Sequence, residues 1–439
     1  MKIRVFKGGT HVDPVKFQTE GSACVIAKAP QFVYIPLSQH TGAPCKVCVS
    51  VGDEVKMGQV IGQTTAFVSA PIHASVSGKV VGFEQKAIPA GRFEECIVIE
   101  NDFLDTLDEL IIREPEPEKL SADDLKQKVH DAGIVGLGGA AFPAHVKYTP
   151  PEDATIEYVV LNGIECEPYI TADHRIMLEY ADDVVKGLQY IMKMTGAREG
   201  VIAVEDNKMD AAAVLQKACE HLTDIQVAIP KEKYPQGSEK QLIYALTGRE
   251  VPVGGLPLDV GVIVNNVGTA KAVCEAIEDN MPLIRRVTTV SGTAISNPAN
   301  FIVRIGTLFR DLVEQAGGYS EEDFRLIGGG PMTGKALFTD DVPVIKGTSA
   351  VLALKNDARN RTERKCVRCA KCIDTCPVFI HPTRLATLAK RNDFSALEHE
   401  EHIMLCIECG SCSYVCPSSI PLLEWIRRGK QGVVTKETI

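Results

Sequence analysis

The chain lacks any excess of positive charge: its 439 residues carry 47 Lys and Arg against 57 Asp and Glu, a formal net charge of -10. A nucleic-acid footprint needs the opposite balance, so no nucleic acid is expected as partner, and a protein or small molecule is expected instead. It also lacks long apolar runs. No stretch approaches the roughly 18 residues that a spanning helix needs, and the opening "MKIRVFKGGTHVDP" has no apolar h-region. Neither a membrane span nor a signal peptide is therefore expected. Nor is this the composition of a disordered chain. With 45% hydrophobic and 24% charged residues, it reads as an ordinary globular protein with much strand. Its length exceeds the roughly 250 to 300 residues over which a single core grows, which predicts three or four domains.

Cysteine, by contrast, is plentiful. In a reducing compartment the 15 cysteines should be thiols or metal ligands rather than disulfides. Eight of them lie in the last 75 residues. Cys366, Cys369, Cys372 and Cys376-Pro377 recur forty residues later as Cys406, Cys409, Cys412 and Cys416-Pro417. The spacing C-x2-C-x2-C-x3-C-P is that of bacterial iron-sulfur proteins, in which three close thiolates hold one cluster and the fourth crosses to the other. One 4Fe-4S cluster is thus expected on Cys366, Cys369, Cys372 and Cys416, and a second on Cys406, Cys409, Cys412 and Cys376. Structural zinc is the alternative, but zinc sites pair cysteines across a longer loop. Basic residues (Arg359, Arg361, Arg364, Lys365, Arg368, Lys371) surround the first motif and acidic ones (Asp393, Glu398, Glu400, Glu401, Glu408) the second; this is either solvated surface charge with no redox effect, the default, or a source of unequal cluster potentials.

Upstream, residues 40 to 100 alternate apolar and polar with glycine punctuation, which predicts short strands and tight turns. From Ser121, a helix start signal with Asp124 three residues on, the period changes. Strand-like runs at 156 to 161, 200 to 204, 225 to 229 and 260 to 264 alternate with helical stretches at about 175 to 195, 207 to 221 and 238 to 247. Such alternation predicts a parallel sheet with helices on its faces. "RVTTVSGTAISNPANFIVRIG" then reads as a hairpin, followed by a helix over 308 to 316 and a glycine turn, "IGGGPMTG".

Four segments fall at the ends of these elements: "GLGGAAFPAHVK" (Gly136 to Lys147), "NGIECEP" (Asn162 to Pro168), "YPQGSEKQ" (Tyr234 to Gln241) and "NNVGT" (Asn265 to Thr269). The first matches G-x-G-x-x-A but follows a helix, so it fails the structural test of a dinucleotide fingerprint, and its glycines could simply cap that helix. Because ligands of open parallel sheets bind beyond the strand ends, the four segments can converge on one crevice. These residues resemble the nucleotide and flavin crevice of the flavoprotein subunit of respiratory complex I, and the whole chain resembles the RnfC family, the C subunits of Rnf electron-transport complexes. The resemblance implies that Gly136, Gly138, Lys147, Asn265, Asn266 and Thr269 contact the FMN phosphate side. It places Asn162 and Glu165 beside the flavin ring and ribityl chain, with Phe142, Glu167 and Glu239 facing NAD(H). Leu137, Ala141 and Ile164 stand where arginine, glycine and aspartate are usual in complex I.

The implied fold is multidomain α/β. It comprises an N-terminal lipoyl-like β barrel (1–115), whose "QTTAF" tip has no lysine to acylate, and a central parallel α/β flavin and nucleotide domain (116–284). A small β-grasp, SLBB-like domain (285–352) and a C-terminal two-cluster ferredoxin-like domain (353–439) follow. The implied function is that of an electron-transfer subunit of a membrane-bound ferredoxin:NAD+ oxidoreductase. It would exchange hydride between NAD(H) and FMN and single electrons between FMN and two 4Fe-4S clusters. Its partners would be the other subunits of a membrane Rnf-type complex and, indirectly, a ferredoxin-type carrier, and its place peripheral on the cytoplasmic side. A soluble flavin and iron-sulfur reductase, such as a cobalamin reductase, and a non-catalytic adaptor with a vestigial crevice are the alternatives. Cys45 and Cys48, Cys166, the isolated His40, His73 and His145, and the Leu422, Leu423 and Trp425 stripe are read as structural.

Overall fold

The computed structural model describes residues 3–356 and 362–437; Arg359 and Arg361 lie outside them. Its centre is four parallel strands in the spatial order Ile225–Ala228, Glu199–Val204, Tyr158–Gly163, Val262–Asn266. Val159, Val160, Leu161, Val201, Ile202, Ala203 and Val204 are all fully buried, the near-continuous apolar run of strands covered on both faces. With each buried Val, Leu or Ile contributing about 1.5–3 kcal/mol, this sheet is a rigid platform for the residues at its carboxyl edge. The chain order reverses between Tyr158–Gly163 and Val262–Asn266, which makes a switch point there.

Local chemistry accounts for the flanking helices. Ser121 and Asp124 cap each other's backbone at the start of Ala122–Asp131, Leu125 and Val129 turn inward, and Gly133 at φ 62° ends the helix. The stretch expected as one helix is two, Ala172–Glu179 and Ala181–Thr195, because Tyr180 leaves helical dihedrals at φ -134°. The second of these packs on Val267–Glu278 so closely that a Cβ at Gly187 would lie 1.9 Å from the Ala270 carbonyl oxygen. Any other residue there would part the two helices.

The N-terminal barrel is two small sheets around Val33, Ile35, Ile61, Ile72, Val80, Ile97 and Ile99. Before reaching it, the chain runs over the central unit: the Arg4 N–H donates to the Ala245 carbonyl, Thr10 pairs with Tyr234, and the Gly9 N–H donates to the Thr375 carbonyl. The β-grasp region is a six-stranded sheet that takes its edge strand, Val25–Ile26, from this same N-terminal segment.

The cysteine-rich end repeats in backbone as well as in sequence. Short helices Lys371–Asp374 and Ser411–Tyr414 carry the third cysteine of each motif, and left-handed dihedrals recur at Arg368, Ala370 and Phe379 and again at Glu408, Gly410 and Ser419. Each left-handed turn aims amides inward: the Arg368 N–H donates to Cys366 Sγ and the Glu408 N–H to Cys406 Sγ, both at 3.4 Å. The unit's core contains Cys372, Cys376, Cys412 and Cys416 among leucines and isoleucines.

Candidate functional site

At the switch point the sheet register sets Asn266 beside Asn162 and Asn265 beside Leu161. The Asn162 Nδ2 donates to the Gly237 carbonyl at 2.8 Å, fastening the first strand end to the segment before helix Glu239–Thr247. Asn266 caps the helix Val267–Glu278: its Oδ1 accepts from the Gly268 N–H, while its Nδ2 donates to Asp173 at 2.6 Å. Over this edge folds the glycine loop, closed at its base by the Gly136 N–H on the Phe142 carbonyl and tied down by the Leu137 N–H on Thr269 Oγ1. Its tip, Gly138–Gly139–Ala140, is exposed, and a Cβ at Gly138 would sit 3.5 Å from Asn266.

The structure thus brings Gly136, Gly138, Asn162, Asn265, Asn266 and Thr269 to one edge, and Lys147 and Glu239 with them. The Lys147 ammonium donates to the Val264 carbonyl at 2.7 Å and to Glu239 at 3.2 Å, so two residues expected on different cofactors form an ion pair. Asn265 is only 6% exposed; its Oδ1 accepts from the Tyr148 hydroxyl, whereas its Nδ2 has no partner among the described residues. A buried donor left bare is costly, and with the open amides of the loop tip it suits an anionic oxygen-rich group such as the phosphoribityl part of FMN. The half-buried Phe142 closes the loop through its carbonyl.

Two expected site residues are engaged elsewhere in this structure. Glu165, at a left-handed φ of 47°, accepts the Asp173 and His174 N–H groups at the start of helix Ala172–Glu179. Burial pushes its carboxyl up to about 7, against the pull of Lys16. Glu167 reaches the other way and accepts from the Met332 N–H at 3.0 Å and the Thr333 hydroxyl at 2.6 Å. The turn "IGGGPMTG", whose spacing shows only a turn, is therefore a wall of the crevice, and a Cβ at Gly330 would collide with the Glu167 carboxylate at 2.2 Å.

Sequence reasoning also missed Lys16. Its buried ammonium donates to the Glu165, Glu167 and Ile170 carbonyls at 2.9, 3.1 and 2.6 Å and lies 3.9 Å from the Glu165 carboxylate. Beneath it Lys208, 1% exposed, donates to the Ile164 carbonyl and stands 3.5 Å from Glu205. Only a buried, 150-residue-distant contact gives Lys16 its place, which no local pattern reveals. Cys166 is held neutral chiefly by burial, with Glu205 and Glu167 adding to the upward push on its thiol. His40, His73 and His145 are buried, with His40 hydrogen-bonded to Ser69 and His145 to the Phe67 carbonyl, and burial holds all three imidazoles below their usual range. Leu137 and Ile164, the departures from the complex I pattern, are both buried in apolar cores.

The cysteines of the two motifs lie within electrostatic reach of one another across the repeat. Cys372 feels the charges of Cys416, Cys366 and Cys369, and Cys406, Cys409 and Cys412 each feel that of Cys376. Among the described residues no three ligating side chains close on one point as a single ion would need. Thiols gathered by fours around amide donors fit a cluster of several irons. The second group abuts the crevice: the Tyr234 hydroxyl donates to the Cys409 carbonyl at 2.7 Å, and the Gln241 side chain to the Pro377 carbonyl at 3.4 Å.

Comparison with known proteins follows the same divisions. Residues 4–104 match the RnfC barrel sandwich hybrid domain, 129–275 the Nuo51 FMN-binding domain, 287–336 the SLBB domain and 365–421 the 4Fe-4S dicluster domain. The chain is 46% identical, over 92% of its length and 88% of the relative's, to the C subunit of the proton-translocating ferredoxin:NAD(+) oxidoreductase complex of Clostridium ljungdahlii. It is 46% identical, over 91% and 90%, to the Na(+)-translocating counterpart of Acetobacterium woodii. The C subunit of an ion-translocating oxidoreductase complex of Pasteurella multocida is 38% identical over 98% of this chain but 52% of its own. Among solved structures, an NAD+-reducing [NiFe]-hydrogenase in its air-oxidized state shares the fold at TM-score 0.53 and 18% identity, over 73% of this chain and 64% of that one.

Proposed function

The chain belongs to the RnfC family, the C subunits of ion-translocating ferredoxin:NAD(+) oxidoreductase complexes, and on that premise we propose that it exchanges reducing equivalents between NAD(H) and one-electron carriers of such a complex. FMN, when bound, supplies the conversion between hydride and single-electron chemistry. The chain supplies the binding and the wiring. Gly136, Gly138 and the amides of the loop tip, with Lys147, Asn265, Asn266 and Thr269, hold the phosphate side, since backbone N–H groups and one ammonium suit an anion. Asn162 and Glu165 border the ring and ribityl chain, and Phe142, Glu167 and Glu239 border the nicotinamide nucleotide. Cys366, Cys369, Cys372 and Cys416 hold one 4Fe-4S cluster, and Cys406, Cys409, Cys412 and Cys376 the other.

A single observation supports this reading: the segment leading into helix Glu239–Thr247 and the second cysteine motif meet directly, through Tyr234 and Cys409. No helix among the described residues is long and apolar enough to cross a membrane, and the chain would be peripheral, on the cytoplasmic side, held by the membrane subunits of the complex. The test is anaerobic reconstitution with iron, sulfide and FMN, followed by cofactor quantification and addition of NADH. Retained flavin that bleaches with NADH, together with iron and sulfide for two clusters, is the expected result. Protein that holds clusters but no flavin would leave only a wiring role.

A further inference from the structure

We propose that the face around Cys366 and Cys369 is the docking surface for an acidic one-electron carrier protein, while the Cys406 group is the one joined to the crevice. This rests on the reading above that the eight cysteines hold clusters. The evidence is an internal comparison. The two copies of the motif share spacing, helices and left-handed positions forty residues apart, so their backbone geometry cannot account for a difference in exposure between them. Yet they differ. All seven residues from 365 to 371 are exposed, whereas none of the matching residues from 405 to 411 is.

What covers the second copy is visible. The Tyr234 hydroxyl donates to the Cys409 carbonyl, and Arg427 links Glu408 to the Thr333 carbonyl. A Cβ at Gly410 would lie 2.6 Å from the Met332 carbonyl oxygen. Glycine is needed at 410, where both φ (75°) and that contact exclude a side chain. At the matching position the first copy has Ala370, exposed and with the same left-handed backbone at φ 61°. The second copy has its partner inside the chain, and the first copy offers the equivalent surface bare.

The chemistry of that bare surface indicates what it takes. Arg364, Lys365, Arg368 and Lys371 are exposed on a chain whose net charge is -10. Beside the second copy, by contrast, Glu408 is paired with Arg427 and Lys430, and Glu401 with Arg384. Within the cationic stretch stands Val367, 65% exposed, with Phe379 nearby in sequence at 67%. An exposed apolar residue such as Val367 flanked by charge is the anatomy of a protein interface, and a positive rim steers a negative partner toward it. A lipid surface would satisfy the charges but has no use for two cluster cysteines at the centre of the contact. One electron crosses the contact per encounter, between this group and the carrier's own one-electron centre, and no bond is made or broken.

The experiment uses the full chain loaded anaerobically, with iron and sulfide measured first. Absence of clusters would overturn the function above and this proposal with it. Calorimetric titration with an acidic 4Fe-4S ferredoxin, both proteins oxidised, should show binding that weakens with salt. The pair R364E and K371E should weaken it by at least about tenfold (about 1.4 kcal/mol), while E400K leaves it unchanged. A dysprosium chelate in solution should relax one of the two reduced cluster signals in electron paramagnetic resonance, and bound ferredoxin should shield that same signal. Cluster-loaded protein whose ferredoxin binding ignores the charge reversals, whose two signals respond alike, or whose cationic rim instead binds phosphatidylglycerol vesicles in competition with ferredoxin would overturn the docking surface alone.

Discussion

Replacing Lys16 by methionine tests whether the buried charges under the crevice hold it in shape. The ammonium satisfies three carbonyls at 2.6 to 3.1 Å and stands 3.9 Å from Glu165. Methionine keeps the volume and loses all four contacts. Each orphaned carbonyl costs about 1–3 kcal/mol, but the three share one pocket and their costs do not add. Breaking a buried pair from one side costs about 3–5 kcal/mol, which is the magnitude expected near pH 8 from unfolding of the apo chain. The pH dependence is the sharper part. Glu165 titrates near 7 in the folded chain against 4.5 unfolded, so between those values the folded state binds the extra proton and stability rises as pH falls. Without Lys16 the carboxyl rises further and that gain begins at higher pH. The penalty should therefore shrink toward pH 5.5, by about 1.4 kcal/mol for each unit of the added rise. Adding Glu165→Gln should recover part of the loss, since a neutral amide no longer needs the cation. A penalty equal at both pH values, with strictly additive variants, would refute a charge-based role for Lys16.

Four other outcomes follow. Ala141 adopts φ 48°, so Ala141→Gly should raise stability by about 0.5–1 kcal/mol, and a lowered melting temperature would contradict the strain. Lys147 and Glu239 form an ion pair with side chains 32% and 40% exposed, which as a pair contributes only about 0–1 kcal/mol. A loss of FMN affinity above about tenfold in Lys147→Ala therefore marks a phosphate contact, and NADH affinity should fall in Glu239→Gln; unchanged dissociation constants in both would misplace the crevice. Gly410→Ala must push aside the Met332 carbonyl at about 1–3 kcal/mol and should speed proteolysis at the 329–334 turn, whereas Ala370→Gly should not. Iron chelation should unfold the C-terminal unit, whose core includes Cys372, Cys376, Cys412 and Cys416, because metal binding there is folding energy; helical signal unchanged after chelation would show that the apolar contacts suffice.

What the sequence made legible were features written in short-range spacing. The 4Fe-4S dicluster character of residues 365–421 follows from C-x2-C-x2-C-x3-C-P, and the parallel sheet follows from apolar runs of strand length separated by helical periods. Features created by distant contacts were not legible. The acids around the second motif suggest, in sequence, a charge difference between the clusters, but Arg427 and Lys430, 19 and 22 residues beyond Glu408, offset its charge in the fold. Glu167 sits within a motif yet points its carboxylate at Met332 and Thr333, about 165 residues away. Tyr234, in sequence part of a helix lead-in, is the direct hydrogen-bonded link between crevice and cysteines, because its partner is a backbone carbonyl that carries no residue signature.

The departures from the complex I pattern acquire a physical meaning once their surroundings are seen. Leu137 is 6% exposed and belongs to the same apolar core as Ile176 and Val267, so its side chain serves packing and only its N–H, held by Thr269, serves the loop. The arginine usual there would bring a charge that this core cannot pair. A cation is nonetheless close by, supplied from another module. Arg286, buried on strand Arg285–Ser291 of the β-grasp sheet, lines a cavity of about 250 Å³ together with Leu137 and Gly268. It interacts electrostatically with Asp173, the carboxylate that holds Asn266 at the helix start. The Arg286 guanidinium itself donates to the Val287 and Lys346 carbonyls, so it stands behind Asp173 as a fixed, buried cation. The β-grasp sheet thereby shares a cavity wall with the base of the glycine loop.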